Sequence, residues 1–349
     1  MIRKSTINLK FANIGKLNKL KIIAKEYQRV ANIFIDKLWV QQQFSGSFVK
    51  DTTVDSWLSA RLKQAAAKQA LAIVKSQRKK KKKQKPTLNK LTMELDSRFV
   101  KVEQNVNHFD IWIRLSSIGD KVAINLPSQK HLHFNKFLQD GWIIKKSIRL
   151  RVNESGYFVD VFFEKEVPKL RTTGKQKAID IGYKKLIVSS DGEFIGDYNI
   201  YEKVARKKQG SKAFKRALIE RNELVNTSCK TLDLANVKEL FAEDLKNVKH
   251  KSKGKIRKKF NNKLQRWSYR DVLEKLTMLC EEKGISFKKI PPQYTSQRCN
   301  KCGEIHKKSR KGELFKCVSC NFESDADYNA SLNLLFMGRY GVHALQPIL

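Results

Sequence analysis

Negative charge is what this chain has least of. Its 34 Asp and Glu residues face 72 Lys and Arg, a formal net charge of +38 distributed from end to end. A compact fold with that excess repels itself unless a polyanion neutralises it, which points to nucleic acid as the partner. A ribosomal or membrane-surface protein is the plainer alternative, but such a chain is expected to be smaller or to carry an amphipathic anchor. No uninterrupted apolar run approaches the roughly 20 residues of a membrane-spanning helix. The opening "MIRKSTINLKF" lacks an apolar signal-peptide core. The expectation is a soluble, intracellular protein with no membrane partner. Cysteine is scarce as well: six in 349 residues suggest metal before disulfides. What is plentiful is apolar content, 41%, more than a long disordered chain would hold and enough for two or three domains with their own cores.

Periodicity divides the chain. Residues 2–11 alternate, with Ile7, Leu9 and Phe11 on one face of a strand. Leu20, Ile23, Tyr27, Val30, Phe34 and Leu38 recur at helical spacing and predict an amphipathic helix over 17–39. A second helix is expected over 54–75, running into the charge block "RKKKKKQKP", where repulsion and Pro86 end it. As structure that block reads as a solvated loop; as function, as a segment that seeks phosphates. From Arg98 to Val167 five alternating runs ("RFVKVEQ", "FDIWIRL", "KVAINL", "SIRLRV", "YFVDVFF") predict a small antiparallel sheet or barrel that the first strand joins. Pro168 and the following "KLRTTGKQ" read as a linker. Beyond it strands in "KAIDIG", "KKLIVSSDGEFIG", "VKELFAEDL" and "ISFKKI" alternate with basic helices over about 204–231 and 255–283, the latter stopped by Gly284. A final helix is expected over 326–336. Meander first and alternation afterwards suit a mixed-sheet, RNase H-like fold. No internal repeat is present.

Four cysteines are paired as Cys299-x2-Cys302 and Cys317-x2-Cys320, fourteen residues apart. Each pair makes a knuckle with two thiolates pointing one way, and two knuckles close a tetrahedron around zinc. Four thiolates saturate a structural site without His306, and the segment has too few apolar residues to fold well without metal. Lys307, Lys308, Arg310 and Lys311 between the pairs suggest a nucleic-acid contact. The other two cysteines, Cys229 and Cys280, lie in helical pattern and are expected as buried small hydrophobes.

The scarce acids recur in odd places. Asp180 stands between Ile179 and Ile181, and Glu243 and Asp244 end an apolar strand. Burying an acid there is costly unless it is paired or binds metal. Asp325 and Asp327 lie two apart, about 200° around a helix, so at most one points into a shared site. Plainer roles exist for each: Ser324 or Asp325 as a helix cap, Glu243 on a lysine, Asp180 on backbone amides. Taken together in a polycation, the acids match what phosphodiester hydrolysis needs, because hard Mg²⁺ ions take carboxylate oxygens. His131 and His133 share the His-hydrophobe-His spacing of tyrosine-dependent nucleases. Alternation would set both on one strand face, but no further ligand is evident nearby.

In order, "AIDIG … AEDL … RWSY … PPQYTSQRCNKCG … CVSC … DADYNASLNLL" resembles the C-terminal half of TnpB proteins over about 177–335. TnpB proteins are the RNA-guided nucleases of insertion sequences, related to compact type V CRISPR effectors. The resemblance implies a wedge-like, barrel-like β domain (1–12 and 91–170) with an inserted helical recognition domain (13–90). It further implies a RuvC-like nuclease domain (173–292 and 325–340), an inserted zinc ribbon over 293–324 that binds target nucleic acid, and a tail, 341–349. By the same resemblance Asp180, Glu243 and Asp327 form the Mg²⁺-binding triad. Asp327 is preferred to Asp325 because the family's acid precedes the x-Asn-Ala of "DYNAS". Candidate nucleic-acid contacts are Arg78, Lys79, Lys80, Lys81, Lys82, Lys83, Arg257, Lys258, Lys259, Trp267, Tyr294 and Gln297.

The implied activity is cleavage of guide-complementary double-stranded DNA beside a short target-adjacent motif by a monomer. It would use a transposon-derived guide RNA, two catalytic Mg²⁺ ions and structural Zn²⁺, in the cytoplasm at the nucleoid. Base pairing then supplies specificity, and the protein supplies charge and shape. Two departures from the family pattern are a short basic helical region between the first two acids and the unassigned "MGRYGVHALQPIL". Alternatives are a compact CRISPR effector of the same chemistry, a guided repressor without cleavage, a DNA-joining transposase, and a zinc-ribbon RNA-binding protein that would leave the three acids without purpose.

Overall fold

The computed structural model describes residues 1–41, 54–106, 108–117, 122–196, 199–245 and 257–341. The chain divides into two compact units, Met1–Glu166 and Val167–Leu349.

In the first unit, β1 (Ile2–Asn8) leads into α1 (Ile14–Val40), capped by the Asn13 side chain on the Lys16 amide. The chain leaves the strand at Lys10, whose amide bonds Asn8 Oδ1 at 3.0 Å, so Leu9 is buried while Phe11 turns outward and does not extend the strand's inner face. All six apolar positions that predict α1 are buried along one stripe. The second helix, α2 (Ala60–Arg78), begins six residues later than its periodicity suggests, at the Ser59 cap; Val54 and Leu58 are buried from the segment before it.

Six more strands follow: β2 (Leu91–Leu95), β3 (Val100–Val106), β4 (Phe109–Ser117), β5 (Val122–Ser128), β6 (Ile143–Asn153) and β7 (Gly156–Glu164). The short α3 (Leu132–Asn135) lies between β5 and β6. The strands do not form one barrel ladder. They fall into two antiparallel sheets, ordered β1-β7-β6-β2 and β3-β4-β5, and β1 joins through β7 with Ile2 opposite Glu164. The β2 strand, "LTMEL", alternates at every position but over only five residues, too short a run to stand out in the sequence. Both long helices and both sheets share one apolar core.

His131 and His133 are not on a strand. His131 precedes α3 with Nε2 2.9 Å from the Thr6 carbonyl, and His133 Nδ1 lies 3.2 Å from Ser5 Oγ. Their rings stack at 6.2 Å, so the pair fastens α3 to β1.

The second unit is built on β8 (Lys175–Asp180), β9 (Ile187–Ser189), β10 (Phe194–Ile195), β11 (Val237–Glu243) and β12 (Ser286–Ile290), ordered β10-β9-β8-β11-β12. The β11 strand runs parallel to β8 and β12, while β9 is antiparallel to β8. The expected helix over 204–231 is two, α4 (Ile200–Ala205) and α5 (Lys212–Thr231), separated by a turn in which Gly210 has φ +85° and Ser211 caps the Phe214 amide. The expected helix from 255 is also two, α6 (Lys258–Arg266) and α7 (Tyr269–Lys283); its first residues, 255–256, lie outside the described residues. It breaks where the Trp267 indole donates to the Gly182 carbonyl at 2.9 Å. Gly284 ends α7 in the left-handed region, where a Cβ would meet the Lys169 carbonyl at 2.4 Å.

Cys229 and Cys280 are buried in the core between the sheet and α5 and α7. The opposite face carries α8 (Ala326–Tyr340), whose Leu334 packs on Ala178 and Phe241. A Cβ at Gly338 would sit 2.4 Å from the Phe241 ring, so glycine lets this helix approach the sheet closely.

Candidate functional site

Alternation fixes where the acids point. Ile179, Leu240 and Ala242 enter the core under α5 and α7, while Ala178 and Phe241 face α8. Asp180 and Glu243, two residues beyond Ala178 and Phe241, therefore share the α8 face at the C-terminal ends of neighbouring parallel strands, Ala242 being opposite Ile179. Asp327 reaches them from the first turn of α8. Gly182 follows because its Cβ would collide with the Lys185 carbonyl at 2.4 Å and approach Asp327 Oδ2 at 3.5 Å.

Asp180 and Asp327 are each 8% exposed. Burial, then the charges of Glu243 and Asp327, push the Asp180 carboxyl well above the usual carboxylate range. Burial also raises Glu243, against a 2.8 Å hydrogen bond donated by Thr295 Oγ1 and the charge of Arg310. Asp327 Oδ1 accepts a 2.7 Å hydrogen bond from Arg310. An anionic cluster buried with one guanidinium has the donor chemistry of a hard-cation site.

The neighbouring Asp325 is differently engaged. Its Oδ1 accepts from the amides of Asp327 and Tyr328, both at 3.0 Å, which makes it the cap of α8, and its Oδ2 pairs with Lys185.

The cysteines lie outside the strands of a three-stranded sheet, β13 (Arg310–Lys311), β14 (Leu314–Lys316) and β15 (Glu323–Asp325), with Cys299 and Cys302 before it and Cys317 and Cys320 in the connection from β14 to β15. Cys299 and Cys320 Sγ lie 3.8 Å apart and Cys302 and Cys317 Sγ 3.6 Å apart, with all four ligand atoms within 4.8 Å of one another. A tetrahedral ion with metal–sulfur bonds of about 2.3 Å requires sulfurs about 3.8 Å apart, so the arrangement fits one. Gly303 and Asn321, each just after a knuckle, take the left-handed backbone that lets the knuckle close. The amides of Ser319 and Cys320 point at Cys317 Sγ from 3.4 and 3.5 Å. His306 instead turns Nδ1 to the Lys308 amide. Among the described residues no other group of three or more Cys, His, Asp or Glu is as tight, so the three carboxylates are gathered more loosely than the thiols.

Several residues here give no sign of their roles in the sequence. Asn333 donates to the carbonyls of Thr295 and Arg298, and Asn329 donates to Arg298 and accepts from the Asn300 amide. Both are fully buried on α8 and clamp the first knuckle to the helix that carries Asp327. Their i, i+4 spacing in "NASLN" is the one trace they leave. Arg310, grouped by composition with outward-facing basic residues, turns in to Asp327.

The candidate nucleic-acid contacts scatter. Arg78 does not project outward: it donates to the Leu38, Trp39 and Gln41 carbonyls and closes the end of α1. Lys79, Lys80, Lys81, Lys82, Lys83 and Arg257 are exposed. Trp267 is half-buried against Tyr269, Tyr294 is 37% exposed, and Gln297 bonds the Tyr294 carbonyl through its amide. The side chains of Lys258 and Lys259, and tail residues 342–349, lie outside what the structure describes.

Residues 269–334 match the family model "Cas12f1-like, TNB domain". The CRISPR-associated endodeoxyribonuclease Cas12f1 of Sulfoacidibacillus thermotolerans is 45% identical over 93 residues, 26% of this chain and 20% of that protein. A TnpB-like protein of Aquifex aeolicus is 36% identical over 83 residues, 23% of this chain and 27% of its own. The matched stretches thus span about a fifth to a quarter of these curated relatives. Among solved structures, Cas12f1 in a complex with sgRNA and target DNA shares the fold with a TM-score of 0.60 at 17% identity, over 92% of this chain and 82% of that one. Over residues 269–334 the chain thus matches the Cas12f1-like TNB domain, over about a quarter of its length it is similar to Cas12f1 and TnpB-like proteins, and over most of its length it shares the fold of Cas12f1.

Proposed function

We propose that this chain is an RNA-guided DNA endonuclease of TnpB type, with its nuclease centre at Asp180, Glu243 and Asp327 in a RuvC-like domain. The observation that carries the reading is the convergence of three acids, from the ends of β8 and β11 and the start of α8, on one buried face of a mixed sheet. The donor set suits Mg²⁺, and the three carboxylates would hold it. Bound there, the metal supplies Lewis-acid stabilisation of the attacking and leaving oxygens of phosphodiester hydrolysis.

The remaining work falls to this chain's residues. Thr295 fixes the rotation of Glu243, Asp325 and Gly182 set the start of α8 against the sheet edge, and Asn329 and Asn333 hold the first knuckle on that helix. Cys299, Cys302, Cys317 and Cys320 would hold a structural Zn²⁺ that keeps the 293–324 ribbon folded beside the acids, where it would contact target nucleic acid. The first unit would grip guide RNA and heteroduplex by charge and shape, serving as wedge and recognition domains. The named activity of the relatives, endodeoxyribonuclease, supports the choice of DNA as substrate.

A compact type V CRISPR effector with the same chemistry is the second reading, favoured by the 45% identity to a CRISPR-associated Cas12f1. CRISPR repeats beside the gene support it, and a transposon end supports the TnpB reading. Sequencing of RNA that copurifies with the protein tests guidance itself. One discrete bound species is expected, and absence of any discrete RNA counts against both readings.

A further inference from the structure

The carboxylate cluster already has a cation, and the ribbon supplies it. Arg310 lies at the start of β13, with its Nε bonded to the Gly312 carbonyl at 3.1 Å and a terminal nitrogen 2.7 Å from Asp327 Oδ1. Asp180 and Glu243 share the α8 face of the sheet, so the guanidinium that bonds Asp327 also places its charge near them. The nearby lysines are occupied elsewhere: Lys185 pairs with Asp325 and Lys184 with Glu313.

The hairpin that carries Arg310 is docked against the start of α8. The Ala326 amide, at the first residue of α8, bonds the Glu313 carbonyl at 2.8 Å, and Leu314 pairs with Asp325. The backbone of Arg310 is therefore held by the ribbon, while its side chain is about one-third exposed, so its open side faces solvent.

An Asp327 carboxylate bonded to a guanidinium presents that cation where a divalent ion would bind. We propose that Arg310 is a tethered competitor for the metal: it neutralises the acids in the metal-free protein and must release Asp327 before a divalent cation is bound there. This rests on the reading of the three acids as a metal site. A phosphodiester strand entering the site would offer the released guanidinium a new anion, so metal and nucleic acid would bind with positive coupling through Arg310.

The test is Mn²⁺ binding to the full-length, zinc-loaded protein, followed by calorimetry and by the spin resonance of free Mn²⁺, with and without single-stranded DNA. No turnover is measured. Removing the competitor raises the metal-competent fraction, so Arg310→Ala and the longer Arg310→Gln are both expected to bind Mn²⁺ about tenfold more tightly than wild type without DNA. DNA is expected to tighten Mn²⁺ binding by wild type and to do so much less in either variant. Zinc content and circular dichroism show which variants are folded, and Arg310→Gln carries the test if Arg310→Ala is not. Asp180→Asn in each background identifies the site being measured. Asp180-dependent Mn²⁺ binding of equal affinity in wild type and the Arg310 variants overturns the competitor and leaves the metal site standing. Absence of any Asp180-dependent binding in all backgrounds overturns both.

Discussion

Thr295 donates its hydroxyl hydrogen to Glu243 Oε1 at 2.8 Å, linking the segment before the first cysteine pair to the acid that ends β11. Asn333 holds the carbonyl of the same threonine from α8 at 3.0 Å, so a strand, a knuckle and the Asp327 helix meet at one residue. Thr295→Val is expected to slow cleavage roughly 10- to 100-fold, as loss of a partner that orients a metal-site carboxylate does. Thr295→Ser, which keeps the hydroxyl, is expected to recover most of it. Equal rates for the Val and Ser variants in single-turnover cleavage would remove Thr295 from the site.

Asp180 predicts a stability that runs opposite to the usual carboxylate. Its folded pKa lies above its unfolded value, so its contribution is fully present below about pH 3.9 and is lost as pH rises through the raised folded value. Replacing it with neutral asparagine removes that loss. Melting of zinc-loaded protein without magnesium is expected to show Asp180→Asn matching wild type near pH 4 and exceeding it by a few degrees, about 2–5 °C, near neutrality. Added Mg²⁺ is expected to raise the wild-type midpoint and leave the variant's nearly unchanged.

The thiolate geometry predicts one zinc per chain by elemental analysis. Cys317 is a buried sulfur toward which two backbone amides point. Cys317→Ser is therefore expected to lose the ion and to make the ribbon, about 293–324, the first region cut by protease. The β sheet of the first unit is expected to keep its protection.

Net charge of +38 predicts steep salt dependence of nucleic-acid binding. If 6–10 phosphates are neutralised, affinity is expected to fall by about 10³–10⁵ between 50 and 200 mM salt. Replacing Lys79 to Lys83 with glutamine is expected to flatten the slope of log affinity against log salt. Arg78→Gln, removing a group that closes a helix, is expected to lower the melting temperature.

Long, regular periodicity was the most legible feature of the fold. The α1 helix is recognisable because its buried stripe runs unbroken through nine apolar positions. The breaks in the later basic helices are not, because they depend on tertiary contacts: Trp267 reaching Gly182, and Ser268 within 2.8 Å of the Tyr201 hydroxyl. The division of the expected antiparallel strands between two sheets is illegible for a similar reason, since alternation gives each strand's faces but not which edges pair.

At the site, Asp180 and Glu243 stand out as acids in apolar strands. The spacing of Asp325 and Asp327 says that at most one enters, and only the cap geometry says how Asp325 is engaged. Arg310 was illegible, because one arginine among lysines carries no sign of direction until the hairpin is folded against α8.

The most direct measurement is cleavage of double-stranded DNA matching the RNA recovered with the protein, by wild type and Asp180→Ala, with RNA and target binding measured on the same preparations. The expected result is Mg²⁺-dependent cutting by wild type and none by Asp180→Ala, with RNA and target binding largely intact in both. Mg²⁺-dependent cleavage by Asp180→Ala at the wild-type rate would contradict the assignment of the nuclease centre.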